Sequence, residues 1–589
     1  MNKELLAVAK GLKPADLVVN NGKIVNVFSG EIYDGGVAVC GDTIAAVGDV
    51  AYCIGEGTKV IDAQGNYITP GFLDGHIHPE SSSLAIRPFA EGVLLHGTTG
   101  IMTDLHEIGV VAGLEGIEAT LKEAEATDLA VYFIVPSHVP FAPNLETSGG
   151  KFDPEIIRKA LSRKDAVGLS ECVGHYILAE HPELLESLGD TLSMPGKTLQ
   201  GHLPAIYGPN MAAMAAAGIH TCHESFCEQD VYERLRNGIH LQMREGSAAR
   251  NMTLGLLQTV MNSGVDTSNV SIVTDDLHAC DLKDRGHLDD SLRTAFGQGL
   301  SFLKGIQFVT INAARAFKME DKIGSLTPGR RADINITTGA EDFKVLTTVA
   351  GGKQVSENGK MIVHYEKAEH DPCVLNTCHF VNPITADSFK MKAPDGAKKV
   401  KVLCMDTLPY IPFTSRRDVE LNVVDGVVQC DTEQDVLYIA QVERHGKNGN
   451  IGKAFMGGFH IKGGALASSV GHDNHNIIVM GDSFEDMALA VNRCAELGGG
   501  QVIVRDGKVA AEVAYPICGL MSDLSMDELA EQKKAMNQIA YEMGTPIQIP
   551  FMFLCFICLA CIESYAVTDK GFIDVEKGQI IDPILEVIE

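Results

Sequence analysis

The sequence predicts an α/β fold: a (β/α)8 TIM barrel, a small β-sandwich domain built from both of its flanks, and a C-terminal α+β domain. Three observations carry this reading. Between about residues 70 and 325, eight short apolar runs alternate with helical patterns, as in a barrel of eight strand–helix units. On either side lie short runs of alternating apolar and polar residues broken by Gly, Asn and Asp, the texture of a β-meander. Clusters of His, Asp and Glu fall at the C-terminal ends of the barrel's candidate strands, where barrel enzymes place their chemistry.

The elements follow in chain order. Residues 1–69 hold the first part of the β-sandwich domain, in "ADLVVNNGKIVNVFSG", "GGVAVCGDTIAAVGD" and "KVIDAQGNYITP". Residues 70–325 form the barrel, with strand candidates "GFLDGHIH", "GIMTD", "AVYFIVPS", "AVGLSE", "TLQGH", "IHTCHE", "IHLQMREGS" and "VSIVTDD". Helical patterns such as "DPEIIRKALSRK" lie between them. If 68–77 is mostly strand, His76 and His78 leave its end on one face, because side chains two apart on a strand point the same way. Residues 326–370 return to the β-sandwich through "LTPGRRADINITTG" and "VLTTVAGGKQVSENGK". Residues 371–589 form the α+β domain, where "FEDMALAVNRCAELGGGQVIVRDGKVAAEV" reads as helix, glycine turn over 498–500, and hairpin.

At 589 residues the chain is too long for one core. With 48 Lys and Arg against 77 Asp and Glu, its net charge of −29 repels phosphate backbones and argues against nucleic-acid partners. The N-terminus lacks the apolar segment of a signal peptide, and 15 cysteines, an odd number, point to free thiols in a reducing compartment; a cytoplasmic protein is expected. The apolar run "IPFMFLCFICLACI" over 549–562 is shorter than the roughly 20 residues of a spanning helix, so no membrane association is expected. Its Cys555, Cys558 and Cys561 have a C-x2-C-x2-C spacing that fits an iron–sulfur cluster, but no C-x3-C-P comes after it, and a buried core element is favoured.

The candidate chemistry sits at the strand ends. His76 and His78 end the first strand, Glu171 the fourth, His202 the fifth and His223 the sixth; Asp275, followed by Asp276, ends the eighth. Each alone has an ordinary alternative: a strand-end His can hydrogen-bond a loop, and Asp275 and Asp276 could cap the next helix. Together, four imidazoles and two or three carboxylates at one mouth can hold two divalent ions with a carboxylate between them. Such a site makes water nucleophilic near neutral pH, with a strand-eight aspartate to accept its proton.

The "PGFLDGHIH" opening, the bracketing β-domain and this ligand pattern resemble the amidohydrolase superfamily of metal-dependent hydrolases. Within it the chain resembles, along almost its full length, the bacterial adenine deaminase family. The runs that carry this include "GFLDGHIHPESS", "TDLHEIG", "PSHVP" with "ETSGG", "GHLP", "AAGIHTCHES", "REGSAARN", "VTDDLH", "INAARAF", "RHGKNGNIG", "GGALASSVGHDNHNIIVMG" and "GLMSD". The resemblance implies hydrolytic deamination of adenine to hypoxanthine and ammonia, with Mn2+ or Fe2+ as the metal pair and Zn2+ not excluded by the donor types. Many superfamily members bridge their metals with a carboxylated lysine; this subgroup uses a glutamate, and Glu171 stands there. The metal ligands would be His76, His78, Glu171, His202, His223 and Asp275, with Asp275 passing the proton to the departing amine. Relatives are commonly dimers, so a homo-oligomer is expected. Candidates for contacting the purine or protonating its ring are Glu80, Glu107, Arg244, Glu245, Ser247 and Asp276, "REGS" being favoured; the alternative for Arg244 and Glu245 is a salt bridge at the barrel rim.

The sequence departs from the family pattern at Leu105, Cys222 and His138, the last read as a residue lining the mouth rather than a ligand. In "GHDNHN", His472, Asp473 and His475 suit a further metal, a reach into the barrel mouth from the same or a neighbouring subunit, or a hydrogen-bonded turn; Lys447 and Asn448 are equally open. Two other functions compete. A different amidohydrolase reaction, on another aminopurine or a cyclic amide, would be favoured by a strand-four lysine, which Glu171 replaces. A metal-bearing scaffold would be favoured by loss of a ligand, and none is missing. The unrelated zinc deaminases are excluded, since no P-C-x-x-C occurs.

Overall fold

The computed structural model describes residues 2–248, 250–408, 411–560 and 564–589; Cys561 lies outside them. Strands from both flanks make one nine-stranded sheet. Leu17–Asn26, Glu31–Cys40, Thr43–Gly48, Lys59–Asp62 and Tyr67–Pro70 come from the first flank, and Ile334–Thr337, Val345–Ala350, Lys353–Glu357 and Lys360–Met361 from the second. Tyr67–Pro70 joins the halves, pairing parallel with Leu17–Asn26 and antiparallel with Ile334–Thr337. Inward residues of both halves, among them Val19, Val37, Ile44, Ile68, Ile334 and Val349, share one buried cluster.

Next come eight parallel strands: β1 Phe72–Asp74, β2 Thr98–Thr103, β3 Ala130–Pro136, β4 Ala166–Val173, β5 Thr198–His202, β6 Ile219–Cys222, β7 His240–Arg244 and β8 Val270–Val273. Each neighbours the next in sequence order. Their burial is nearly continuous, as expected of strands covered on both faces. Residues 68–77 are not the single strand that the apolar run suggested. Tyr67–Pro70 belongs to the flanking sheet, β1 to the barrel, and the chain bends again after Asp74. The buried Asp74 carboxylate causes that bend: it accepts from the His76 amide at 3.2 Å and from the Thr274 hydroxyl at 2.6 Å. It thereby ties the end of β1 to the end of β8. Just beyond, Ile77–His78 pairs parallel with Asp275–Asp276, so the barrel closes at the residues expected to bind metal.

The C-terminal domain is built on a ten-stranded sheet. On its strand Lys399–Leu408, Val402 and Cys404 face a cluster completed by the helix Phe484–Glu496, while Leu403 and Met405 face a cluster shared with the barrel, an alternation of period two. Two more helices, Met526–Glu542 and Pro550–Phe556, carry buried residues of the shared cluster. The apolar run over 549–562 thus contains a seven-residue buried helix, and Cys555 and Cys558 are buried free thiols. Among the described residues no helix is long and apolar enough to cross a membrane.

Candidate metal centre

Backbone geometry delivers the carboxylates. The register of β4 against β5 shifts between Leu169 and Cys172, and Glu171 adopts a left-handed conformation with φ of 51°. Asp275 does the same, with φ of 60°, at the start of the short strand Asp275–Asp276 that follows β8. A residue with a Cβ gives up about 1 kcal/mol in that region, so the fold holds both in place against a local preference.

The six expected ligands converge and are buried, none more than 7% exposed. His76 Nε2 lies 3.2 Å from Glu171 Oε1 and 3.2 Å from Asp275 Oδ1. His78 Nε2 lies 3.5 Å from Asp275 Oδ1; His202 Nδ1 lies 2.9 Å from Glu171 Oε2 and His223 Nε2 3.6 Å from Glu171 Oε1. Most of these contacts are long for charge-assisted hydrogen bonds, which run about 2.7–2.9 Å, yet suit neighbouring ligands of one ion. His76 Nε2 and both nitrogens of His202 have no hydrogen-bond partner, which is costly in a buried site unless an ion takes the lone pairs. The donor set therefore fits a divalent pair, with Glu171 reaching both His76 and His202. Burial would raise the Glu171 and Asp275 carboxyls; the surrounding imidazoles, and for Asp275 also Arg244, hold both well below the ordinary range.

A cavity of about 880 Å³ opens over this cluster. Its barrel side carries His78, His202, His223, Arg244, Ser247, Asp275 and Asp276; the C-terminal domain supplies an apolar wall of Ile549, Phe553, Phe556 and Leu559 beside His472 and Asp473. Of the expected substrate residues, Arg244, Ser247 and Asp276 are on the wall, whereas Glu80, Glu107 and Glu245 are buried behind it. Glu245 accepts from Thr253 and forms no salt bridge with Arg244, so the rim pair considered from sequence is corrected. The guanidinium instead spans Glu224, at 2.7 and 3.2 Å, and Asp275 Oδ2 at 2.8 Å. Ser247 donates to Asp281, and Ser81 places its hydroxyl between Asp276 at 2.5 Å and Glu107 at 3.2 Å. Asp275 and Asp276 do not cap the next helix; His278 does. His138 does not line the cavity either, since it packs behind Phe141 and is held by Ser137.

The "GHDNHN" turn splits in two. Asp473 Oδ1 lies 3.5 Å from His106 Nε2 at the cavity wall. His472 and His475 turn to the buried Glu107, at 3.9 and 3.7 Å. The Gly471 amide donates to His475 Nδ1, which places that ring's proton on Nε2; at 3.7 Å from Glu107, Nε2 has no hydrogen-bond partner, and Glu107, His472 and His475 lie close enough to one another to hold an ion. Lys447 and Asn448 are explained locally: their amides, with those of His445 and Gly449, point at the buried Glu443 carboxylate.

A model of the amidohydrolase family matches residues 67–355, and one of the adenine deaminase C-terminal domain matches residues 412–579. A curated adenine deaminase of Clostridium botulinum is 39% identical over 590 aligned residues, covering 100% of this chain and 98% of its own. That of Moorella thermoacetica is 38% identical over 587, covering 99% and 98%. The chain belongs to the adenine deaminase family. Its two family-model matches divide where the structure does, the first running from the flanking strand Tyr67–Pro70 through the barrel to Lys353–Glu357, the second covering most of the C-terminal sheet.

Sequence reasoning missed two residues of this adenine deaminase family site. Asp104, at the end of β2, lies 3.2 Å from His78 Nδ1, the carboxylate that fixes a ligating imidazole from behind. Glu224 holds Arg244. Both signals were present, an acid ending a barrel strand in "TDLHE" and one next to a ligand in "CHES".

Proposed function

We propose that this chain catalyses the hydrolytic deamination of adenine to hypoxanthine and ammonia on a pair of divalent ions held by His76, His78, Glu171, His202, His223 and Asp275. The observation that carries the metal site is the convergence of these buried side chains with lone pairs no protein group satisfies. The substrate is supported by relatives named adenine deaminase that match the whole chain. Mn2+ or Fe2+ is the pair we assign; imidazole and carboxylate donors also suit Zn2+. The free thiols of the described cysteines and the net charge of −29 support a cytoplasmic enzyme, which we take to act as a homo-oligomer.

When bound, the ions supply the Lewis acidity that makes water nucleophilic near neutral pH. Asp275 orients that water toward C6 of the purine, takes its proton, and gives it to the departing amine as C6 collapses from tetrahedral to carbonyl. Its Oδ2 is fixed by Arg244, while Oδ1 faces His76 Nε2 and His78 Nε2, where the ions would be held. Attack at C6 drives charge onto the ring nitrogens. Asp276 is the wall group assigned to them: it faces the cavity beside Asp275, and the Ser81 hydroxyl, which also contacts Glu107, holds its carboxylate in place. The apolar wall keeps bulk water from the reacting edge.

The test is to load the purified chain with Mn2+ under reducing conditions and measure hypoxanthine and ammonia released from adenine. Equimolar release of both, lost in Glu171→Gln, is the expected result. A chain that binds two ions yet leaves adenine unchanged would refute the substrate assignment.

A further inference from the structure

Deamination at the metal centre leaves a buried lysine unused. Lys533 lies on the helix Met526–Glu542, whose buried residues are Leu529, Ala530, Lys533, Met536 and Ala540, so it occupies the middle of the stripe turned toward the barrel. It is 3% exposed. A buried ammonium ordinarily needs a carboxylate. Among the described residues the partners of Lys533 are instead Ser83 Oγ at 2.9 Å and His278 Nε2 at 3.2 Å, with the Tyr515 ring centroid at 5.4 Å.

Those two partners sit on the loops that matter. Ser83 closes the short helical turn Pro79–Ser82, which begins directly after His78. His278 stands at the start of Ala279–Asp284, two residues beyond the Asp275–Asp276 strand. On the metal side the loops meet through the pairing of Ile77–His78 with Asp275–Asp276 and through the Ser81 hydroxyl on Asp276; on the far side Lys533 bridges them from the C-terminal domain. The C-terminal domain grips the first loop by its backbone as well, since Ser522 donates to the Ser83 carbonyl and accepts from the Ala85 amide.

Proton positions say how the link works. The Cys280 amide donates to His278 Nδ1 at 3.3 Å, which leaves the ring proton on Nε2. That nitrogen can only donate to Lys533, so the lysine accepts there as an uncharged amine and gives one of its own hydrogens to Ser83. Burial lowers the amine to about 8, so the uncharged form is the major one above that pH.

We propose that Lys533 is a positioning residue of the metal centre: from the C-terminal domain it ties the loop behind His76 and His78 to the loop behind Asp275, and so sets the spacing at which these ligands meet. The proposal rests on the metal-dependent reading of the site for its consequence.

The experiment is Mn2+ titration of the metal-free full-length chain at pH 8.5, in competition with a fluorescent chelator, with the electron paramagnetic resonance signal of bound Mn2+ recorded alongside. Wild type should take up two ions. Lys533→Met should weaken one of them by roughly 10–100-fold, the usual cost of losing a group behind a metal ligand. Lys533→Arg should be no better than Met, because a guanidinium has no lone pair for His278 to donate to. Lys534→Ala, which loses only a surface pair to Asp284, serves as the control and should match wild type. Wild-type affinity in Lys533→Met, or recovery of affinity in Lys533→Arg, overturns the proposal. If Lys533→Met does not fold, Ser83→Ala keeps the lysine and breaks one arm of the bridge; affinity equal to wild type there overturns it too. A wild-type chain that binds no Mn2+ would overturn the metal-dependent reading as well, which separates that failure from this one.

Discussion

Two buried clusters of histidines and acids lie at the same barrel mouth, and they differ in what the surrounding chain has done with their lone pairs. Around Glu171, the nitrogens of His76 and His202 that face carboxylates are left without hydrogen-bond partners. Around Glu107, His475 Nε2 is unpaired too, but Gly471 donates to Nδ1 of the same ring, and the turn is pinned from outside: Arg444 Nε donates to the His475 carbonyl, and Asn474 and Asn476 reach across to Glu146 and Thr147 on the loop after β3. Residue type and burial are alike in both. What differs is the His475 ring proton, which the Gly471 amide at Nδ1 places on Nε2.

The strongest way to break this comparison is to remove the carboxylate shared by the first cluster. Glu171→Gln should lower kcat/KM by about 10³-fold and reduce the bound Mn2+ below two equivalents, because it takes away a charged ligand, the carboxylate that contacts both His76 and His202. His475→Gln, in the second cluster, should keep two. Metal analysis of the two variants decides it: two ions in Glu171→Gln, or fewer than two in His475→Gln, would erase the distinction.

A smaller effect should come from breaking the second cluster at its anchor. Arg444 is fully buried and donates to the carbonyls of His475, Thr377 and Cys518. Arg444→Met leaves those acceptors unpaired and should cost about 3 kcal/mol of stability. Metal content at low temperature should not change. Thermal unfolding with and without Mn2+ distinguishes the two contributions; an equal Tm to wild type would show that the turn does not need its anchor.

How legible all this was in the sequence depends on the kind of contact involved. The barrel strands and their terminal His, Glu and Asp could be read because burial on both faces writes a continuous apolar run, and chemistry at a strand end interrupts it. The break at Asp74 was not legible, because it depends on Thr274, some 200 residues away. Glu224 and Asp104 left a signal, an acid at or beside a strand end, but not their partners Arg244 and His78, and Lys533 left none. Each acts by what it meets across the fold, and a lysine in a helical stripe gives no local sign that it is turned inward. The "GHDNHN" turn had the composition of a metal site, and the fold does gather His472 and His475 with Glu107; the partner Glu107, over 360 residues earlier, is what the sequence could not supply.

The cavity wall lets the comparison be sharpened further. Asp473 belongs to the second cluster by sequence but to the cavity by position, 3.5 Å from His106. Burial would raise its carboxyl, but His106 and His472 hold it well below the ordinary range, so it is charged during turnover. Asp473→Asn should raise KM for adenine by about tenfold, the worth of one charged hydrogen bond, and leave two metals bound. Loss of metal in this variant would move Asp473 into the first cluster; an unchanged KM would remove it from the site.

A third meeting of histidine and acids shows what the same residues do when nothing is left over. His370 donates from Nδ1 to Glu123 at 2.9 Å and from Nε2 to Asp523 at 2.6 Å, joining the barrel helix His106–Ala124 to the C-terminal domain. Both lengths are those of true hydrogen bonds, whereas around Glu171 His76 and His223 stand off at 3.2 and 3.6 Å. Asp523 and Glu123 raise the ring to about 9, against roughly 6.5 in the unfolded chain. Below pH 6.5 the ring is charged in both states and the full contribution is present. Between 6.5 and 9 the unfolded chain releases a proton that the folded one keeps, so stability falls as pH rises, and above 9 the contribution is gone. Allowing for the partial exposure of the acids, the effect should be about 1 kcal/mol. His370→Gln should therefore unfold at lower temperature than wild type at pH 6, and the gap should close by pH 9.5. A gap that stays constant across that range would mean that the ring serves by packing, and that its two short contacts carry no charge.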